Sequence, residues 1–285
     1  MVRGLPANTG SLKGAEEETL QLIFRSSSAE EWAELLKAPL ARTVAKGNRE
    51  LAQRLVGAGA EIGNALHVAV RDGHEEIVSD LLESGASISA KGTGYSGSPL
   101  HVAVGVGRTE IARLLLVKGA DISDNSGESG STPLHIAARA GNSEMVQLLL
   151  AWGADIDALN RYDWSPLYEA VTCGHVAATP RALLSRRAKI SIVARVIPVV
   201  HQAAMRIDIL KAVIEHGADV DATEMVHGYS ALHKAGQDNN VGPIDVLTSW
   251  CQCQRARVAT PHTSACCCPP YIPVSAWCGR QRPRR

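Results

Sequence analysis

Short apolar stretches recur along this chain at a nearly constant interval, with small or polar residues and glycines between them. Four of these stretches have a leucine at the same point of the pattern. These leucines are 34, 34 and 33 residues apart, at Leu66, Leu100, Leu134 and Leu167. In the first three copies a second aliphatic run follows and closes on a Gly-Ala pair. A fixed period of about 34 residues predicts a solenoid of repeated helical hairpins.

The copy over residues 132–154 explains the pattern physically. Thr132 before Pro133 predicts a helix start, because the hydroxyl can accept a backbone N–H and proline at the first helical position loses no hydrogen bond. Gly141 falls where a left-handed residue ends that helix. A second helix is predicted by an apolar stripe of period 3.6, formed by Met145, Val146, Leu148 and Leu149. One hairpin cannot bury its own apolar face, so stability must come from stacking on its neighbours.

The cassettes Ser98-Pro99-Leu100-His101, Thr132-Pro133-Leu134-His135 and Ser230-Ala231-Leu232-His233 make the chain similar to ankyrin-repeat proteins. The resemblance implies an all-α solenoid of stacked helix-turn-helix units joined by β-hairpin or turn-like fingers. We predict a disordered N-terminus over 1–15, a helical cap over 16–37 and an ankyrin-repeat domain over 38–250. Its repeats are predicted near 38–62, 65–88, 98–122, 132–156, 165–220 and 230–250, and the last is incomplete.

Residues 175–206 break this period. The fifth repeat reaches its closing Gly217 nearly one repeat length later than the position of Gly153 in the fourth repeat predicts, and the segment has six basic and no acidic residues. We interpret it as a basic insertion between the two helices of the fifth repeat. It could be a functional loop, a membrane segment or sequence not selected for folding, such as a translated intron. The last is favoured because composition and repeat pattern disagree. The apolar run from Ile190 to Val200 is about half the length that spans a bilayer.

The tail over 251–285 raises the same question of a gene-model artefact. It contains six of the seven cysteines, six arginines and no acidic residue, and we predict that it is disordered. The insertion and the tail together carry +12, so the rest of this formally neutral chain carries −12. That charge favours a partner of basic character, since complementary fields speed encounter.

The candidate chemistry points away from catalysis and metal binding. His67, His101, His135 and His233 occur once per repeat, so they do not converge on one metal. The resemblance implies that they bond the cap hydroxyl and neighbouring backbone. The tail cysteines lack paired C-x-x-C spacing, and no phosphate loop, nucleophile elbow, kinase or metalloprotease motif is present. We therefore predict no enzyme activity, no cofactor, no metal and no small-molecule substrate.

The resemblance implies that partners bind at the finger tips and at exposed residues of each first helix. On those positions the candidates are Arg71, Asp72, Tyr95, Arg139, Arg161, Tyr162, Trp164, Thr172, His227 and Tyr229. Aromatic residues and arginine most often anchor interfaces, although finger aromatics can equally pack between adjacent fingers.

We predict a monomeric protein-interaction scaffold or adaptor that binds a protein partner through its concave face and finger tips. The alternative is a nuclear or nucleic-acid-associated regulator that uses the arginine tail, for which six basic residues in that short tail are weak support. Without a recognisable signal peptide or transmembrane segment, an intracellular location in cytoplasm or nucleus is expected, with no membrane partner.

Overall fold

The computed structural model describes residues 40–92, 97–173, 178–190, 198–225, 227–238 and 240–259. These residues fall into two compact units that divide after Ala86. The first unit contains α1 (40–45), α2 (Arg49–Gly57), α3 (Ala65–Asp72) and α4 (Glu75–Glu83). The second contains α5 (Pro99–Val106), α6 (Thr109–Val117), α7 (Pro133–Arg139), α8 (Ser143–Ala151), α9 (Pro166–Thr172), α10 (Ala178–Ser185), α11 (Val199–Ala203), α12 (Ile207–Glu215), α13 (Ala231–Gln237) and α14 (Val241–Ala259).

The first unit is built around α2, α3 and α4, with α4 in contact with both of the others. Leu55, Leu66 and Leu81 are fully buried in its core. On its surface the guanidinium of Arg49 bonds the carboxylates of Asp80 at 2.6 Å and Glu76 at 2.8 Å. The predicted caps and tails over 1–15, 16–37 and 260–285 lie outside the described residues.

The second unit repeats one hairpin along its length. The first helices α5, α7 and α9 pack in succession, and each second helix packs on its own first helix and on the next second helix. Leu100, Leu134 and Leu167 occupy equivalent core positions and are at most 1% exposed. The predicted all-α fold of stacked helix pairs is therefore confirmed.

The cassette histidine fixes the start of the first helices α5, α7 and α13. In α7 the His135 Nδ1 atom accepts the backbone N–H of Thr132 at 3.3 Å and lies 2.8 Å from its hydroxyl. The opposite ring nitrogen, Nε2, donates to the carbonyl of Trp164 at 2.9 Å, just before the next first helix. His101 bonds Ser98 and the Ser131 carbonyl in the same way. For His101 and His135, these bonds confirm the structural role that the resemblance implies.

Residues 175–206 differ from the interrupted repeat that the sequence predicts. The helix α10 packs on α9 and α8, where a second helix belongs. The helix α11 packs on α9 and α12, where the first helix of a following hairpin belongs. The described part of the segment thus supplies two helices to the stack instead of separating two. Residues 174–177 and 191–197 lie outside the described residues.

The turn after α10 lacks the glycine that closes the hairpins of the other repeats, and for this reason the spacing of glycines along the sequence predicted an insertion here. Arg187 has a φ of +67°, in the position where Gly153 has a φ of +90°. The backbone bond from Ala188 N to Leu183 O at 3.1 Å repeats the one from Ala154 N to Leu149 O at 3.0 Å. A closing turn is therefore present without the glycine that the pattern requires, and Gly217 closes the next hairpin.

The last helix and the charge of the repeat domain also differ from what the sequence predicts. The helix α14 continues to Ala259, past residue 251 where disorder was predicted, because its glutamine, arginine and alanine residues are good helix formers. Five of the six basic residues of 175–206, all but Arg195, lie in the described part of the chain, and residues 1–250 with this segment included carry −6.

Candidate protein-binding surface

Two fingers of the second unit carry rows of three rings. The first aromatic row is Tyr162, Trp164 and Tyr168, with ring centroids 5.3 and 5.2 Å apart in succession. The rings are tilted by 44° and 43°, and their centroid distances lie within the range in which aromatic pairs attract each other. The row leads from the finger tip down to α9.

The second aromatic row is His227, Tyr229 and His233, with centroids 5.3 and 5.7 Å apart and planes within 18° of parallel. Each of its members follows the corresponding member of the first row by the same interval, close to two repeat lengths of sequence. The two rows therefore occupy equivalent positions in two different repeats.

Asn160 shapes the finger that carries the first row. Its side chain oxygen accepts the backbone N–H groups of Tyr162 at 2.9 Å and Trp164 at 3.1 Å. Its own backbone N–H donates to the carbonyl of Trp164 at 3.1 Å. Asn160 is 5% exposed, so this turn is held by a buried amide and not by solvent.

Glu169 connects this finger to α9. Its Oε1 accepts from the Asn160 side chain amide at 3.1 Å, and its Oε2 lies 3.9 Å from Nε of Arg139. Burial raises the pKa of Glu169, and the charge of Arg139 and the bond from Asn160 act in the opposite direction. The equivalent positions are the aliphatic Val68, Val102 and Ile136 in the three preceding repeats and Lys234 in the last one. A carboxylate where the three preceding repeats have an aliphatic residue was the signal that sequence reasoning missed.

The rings of the first row differ in exposure. Tyr162 is 59% exposed, Trp164 is half-buried between two rings, and Tyr168 is buried. The two roles considered for finger aromatics, anchoring a partner and packing within the stack, thus fall on different residues of one row.

In the second row the ring of Tyr229 lies between two imidazoles, and Tyr229 is 38% exposed. The Tyr229 carbonyl accepts the backbone N–H of Glu224 at 2.9 Å. The Glu224 carboxylate in turn lies 2.9 Å from Nδ1 of His227. A short antiparallel bridge between Thr223 and Ser230 closes this finger.

The other candidate residues have separate positions. The Arg161 backbone N–H donates to the Ser129 carbonyl at 2.9 Å, and the Thr172 hydroxyl donates to the Tyr168 carbonyl at 2.8 Å. In the first unit Arg71 and Asp72 bond each other at 2.7 and 2.9 Å at the end of α3. Tyr95 lies outside the described residues.

A serine, a histidine and an aspartate also meet at the start of α5, in a group that resembles a hydrolase triad. Nδ1 of His101 lies 2.9 Å from the Ser98 hydroxyl and 3.6 Å from the Asp124 carboxylate. A catalytic triad needs the nucleophile and the carboxylate on opposite ring nitrogens, whereas here Nε2 bonds the Ser131 carbonyl. Burial also lowers the pKa of His101. The group caps a helix and does not activate a nucleophile.

Neither Cys173 nor the metal-binding residue types of the described ranges form a reactive site. Burial and the Glu169 carboxylate raise the pKa of the Cys173 thiol, which lowers its thiolate fraction. Among the residues that the structure describes, no group of three or more His, Cys, Asp and Glu side chains could hold a metal ion. Of the tail cysteines, Cys251 and Cys253 lie in α14, whereas Cys266, Cys267, Cys268 and Cys278 lie outside the described residues.

Comparison with known proteins agrees with this architecture. The family model described as ankyrin repeats in three copies matches residues 40–126 and 119–194, more than half of the chain, and no catalytic domain was identified. The crystal structure of the human ASB11 ankyrin repeat domain is similar, with 24% sequence identity and a TM-score of 0.65. That match covers 74% of this chain and 98% of the ASB11 chain. No curated protein matched. Within the described ranges, every helix is too short or too polar to cross a membrane.

Proposed function

The chain belongs to the ankyrin-repeat family, and on that premise we propose that it is a non-catalytic scaffold or adaptor that binds a partner protein. The binding surface consists of the finger tips and the exposed residues of the first helices in the second unit. Its centre is the first aromatic row, with Tyr162 as the exposed anchor and Arg139 and Arg161 beside it.

The observation that carries this proposal is the way Tyr162 is held. Its ring is 59% exposed, yet its backbone is fixed by the buried Asn160 and its ring rests on Trp164. A solvated ring on an ordered finger loses little conformational entropy on binding, and such rigid aromatic residues commonly provide hot spots. The equivalent ring system around Tyr229 supports the same role for a second finger.

We place this scaffold inside the cell. Residues 1–250 contain one cysteine, Cys173, which is not in a disulfide. Repeats without a disulfide framework suit a reducing compartment.

The proposal is tested by comparing three forms of the full chain as bait in affinity capture. The wild type is compared with the double variant Tyr162→Ala/Tyr229→Ala and with Trp152→Ala, a control that removes an aromatic side chain 43% exposed at the end of α8. We expect a set of proteins that the wild type and the control retain and that the double variant loses. If the double variant, with an unchanged melting temperature, captures the same proteins as the wild type, the surface is not the binding site.

A further inference from the structure

The last hairpin of the described stack, α13 and α14, leaves open a face that the earlier hairpins of the second unit have covered. Its cassette leucine, Leu232, is 38% exposed, whereas the cassette leucines of the earlier repeats are at most 1% exposed. Gly236 is exposed and Ile244 is partly exposed, but the residues at the same positions of α7 and α8, Ala138 and Val146, are fully buried. Leu232, Gly236 and Ile244 form the end face of the stack. These positions are buried wherever a further hairpin packs on them, so the end face is a surface on which another segment can pack.

The end face has kept the apolar residues of an inner repeat. Terminal repeats of a solenoid need a polar outer face to remain soluble, but Leu232 and Ile244 are both aliphatic. Burial of apolar surface is favourable, so the end face is stabilised when apolar side chains cover it.

We propose that residues 271–277 of the same chain pack on the end face and cap the stack. Residues 260–285 directly follow α14 and lie outside the described residues. They contain no leucine and no Leu-His cassette, so their sequence does not predict a further hairpin of the same kind. Pro273 disfavours a helix, which favours an extended segment as the cap. The large apolar side chains of this segment fall within seven residues, at Tyr271, Ile272, Val274 and Trp277.

The connection from α14 is long enough for this contact. Ile244 lies 15 residues before Ala259, where α14 ends, and a helix rises about 1.5 Å per residue, so the two residues are about 22 Å apart. The 12 residues from Ala259 to Tyr271 can span about 40 Å when they are extended. The apolar segment can therefore return along α14 as far as Ile244.

The charges of the two regions are complementary. Residues 218–250 contain five acidic residues and one lysine and carry −4, whereas residues 260–285 contain four arginines and no acidic residue. The one lysine, Lys234, is paired with Asp238 at 3.3 Å. Asp245 is exposed beside Ile244 and forms no ion pair with any cation that the structure describes. The acidic last repeat thus attracts the basic segment that follows it.

Hydrogen exchange of the full chain, measured by mass spectrometry, tests the cap. In the double variant Tyr271→Ala/Trp277→Ala, the amides of α13 should exchange at least about 10-fold faster than in the wild type, because an uncovered terminal hairpin opens more often. The amides of the inner helix α7 should be unchanged in the same spectra. The matched control, Ser264→Ala/Ser275→Ala, changes two small polar residues of the same segment and should leave α13 unchanged.

Cleavage by chymotrypsin tests the same contact from the side of the segment, since this protease cuts after aromatic residues such as Tyr271 and Trp277. Leu232→Ser should release the segment and increase the rate of cleavage at these two sites at least about 10-fold, because cleavage follows the population of the open form. The control Leu159→Ser changes a leucine that is 47% exposed in a finger, and it should not increase the rate.

Two results would overturn the inference. One is exchange of α13 that is the same in the Tyr271→Ala/Trp277→Ala variant and in the wild type, and the other is cleavage that is equally fast in the wild type and in Leu232→Ser. If the protection of α13 instead rises with protein concentration and survives the double variant, a second copy of the chain covers the end face and the cap is excluded.

Discussion

The Nε2 atom of His201 lies 2.6 Å from the carbonyl oxygen of Tyr229, and His135 makes the same bond to Trp164 at 2.9 Å. In both cases the acceptor is the residue just before a helix-capping serine, Ser230 or Ser165. Inside the segment that the sequence marks as foreign, His201 therefore makes one of the two bonds of the cassette histidine, the one to the following repeat. Its Nδ1 has no hydrogen-bond partner among the described residues, because α11 begins after Pro198 and not after a capping serine or threonine. A segment unselected for folding has no reason to preserve such a bond.

Replacing His201 by alanine should destabilise the chain by about 1–3 kcal/mol, because the Tyr229 carbonyl loses a donor and a buried imidazole is removed. His135→Ala should have a similar effect. Equilibrium urea unfolding of the full chain measures both.

The matched control is His227→Ala, since that side chain is 62% exposed and its removal should change stability by less than about 0.5 kcal/mol. If His201→Ala behaves like His227→Ala, the helix α11 is not a structural part of the stack, and the hypothesis of an unselected insertion regains its support.

Arg187→Gly should stabilise the chain by about 1 kcal/mol, because Arg187 has a φ of +67°, a conformation that costs an L-residue with a Cβ roughly 1–2 kcal/mol and costs glycine little. Arg186→Gly removes the same charge one residue earlier, where the φ is not positive, and should not stabilise. A rise in melting temperature for both variants would mean that charge, and not backbone strain, is the cause.

Arg187 also shows which part of the fold could not be predicted from the sequence. The hairpins that contain Leu66, Leu100 and Leu134 could be predicted, because each has the expected glycines and aliphatic residues. The hairpin after Leu167 was missed because its closing glycine is replaced by Arg187. Val200, close to midway between Leu167 and Leu232, was a usable signal, as was His201 beside it.

For the candidate site, the sequence predicted the exposed ring positions but not what holds them. Trp164 and Tyr229 were both among the finger residues that the resemblance implies. Their neighbours Tyr168 and His233 belong to helices, and only the packing of finger against helix makes each set of three a row. The hydrogen bond between Asn160 and Glu169 depends on how the finger folds back on α9.

Leu134→Ala should cost roughly 2–5 kcal/mol, because Leu134 is 1% exposed and the cavity left in a close-packed core is only partly filled by relaxation. Val117→Ala is the control, since that side chain is 65% exposed at the end of α6. Thermal and urea unfolding should separate the two variants clearly. Unfolding of Leu134→Ala that matches the wild type would contradict its position in the core.

Two capping histidines, His101 and His135, should make the folded chain less stable as the pH falls below about 6.5. Burial lowers the pKa of His101 and of His135 below the ordinary value of 6.5. The unfolded chain therefore binds more protons than the folded chain in this window, so acidification favours unfolding. Urea unfolding between pH 5.5 and 7.5 measures the slope, and His135→Gln should reduce it.

Glu169 should change the pH dependence of stability in the direction opposite to that of the histidines. Because burial raises the pKa of this carboxyl, the folded chain binds its proton more readily, and its contribution to stability decreases as the pH rises above about 4.5. The variant Glu169→Gln removes this contribution, so its slope between pH 5.5 and 7.5 should be at least as steep as that of the wild type. A shallower slope in Glu169→Gln would contradict the raised pKa.

Alanine variants of Tyr162 and Trp164 should show which ring of the finger binds a partner and which one packs within the stack. Tyr162→Ala removes a ring that is 59% exposed, so we expect a loss of about 2 kcal/mol or more in partner binding and a stability change below about 1 kcal/mol. Trp164→Ala removes a half-buried ring in contact with two others, each contact contributing about 0.5–1.5 kcal/mol, so it should weaken both binding and stability. Thermal unfolding and affinity for a captured partner, measured on the same preparations, test both expectations. If Tyr162→Ala lowers the melting temperature as much as Trp164→Ala does, Tyr162 packs within the stack and does not anchor a partner.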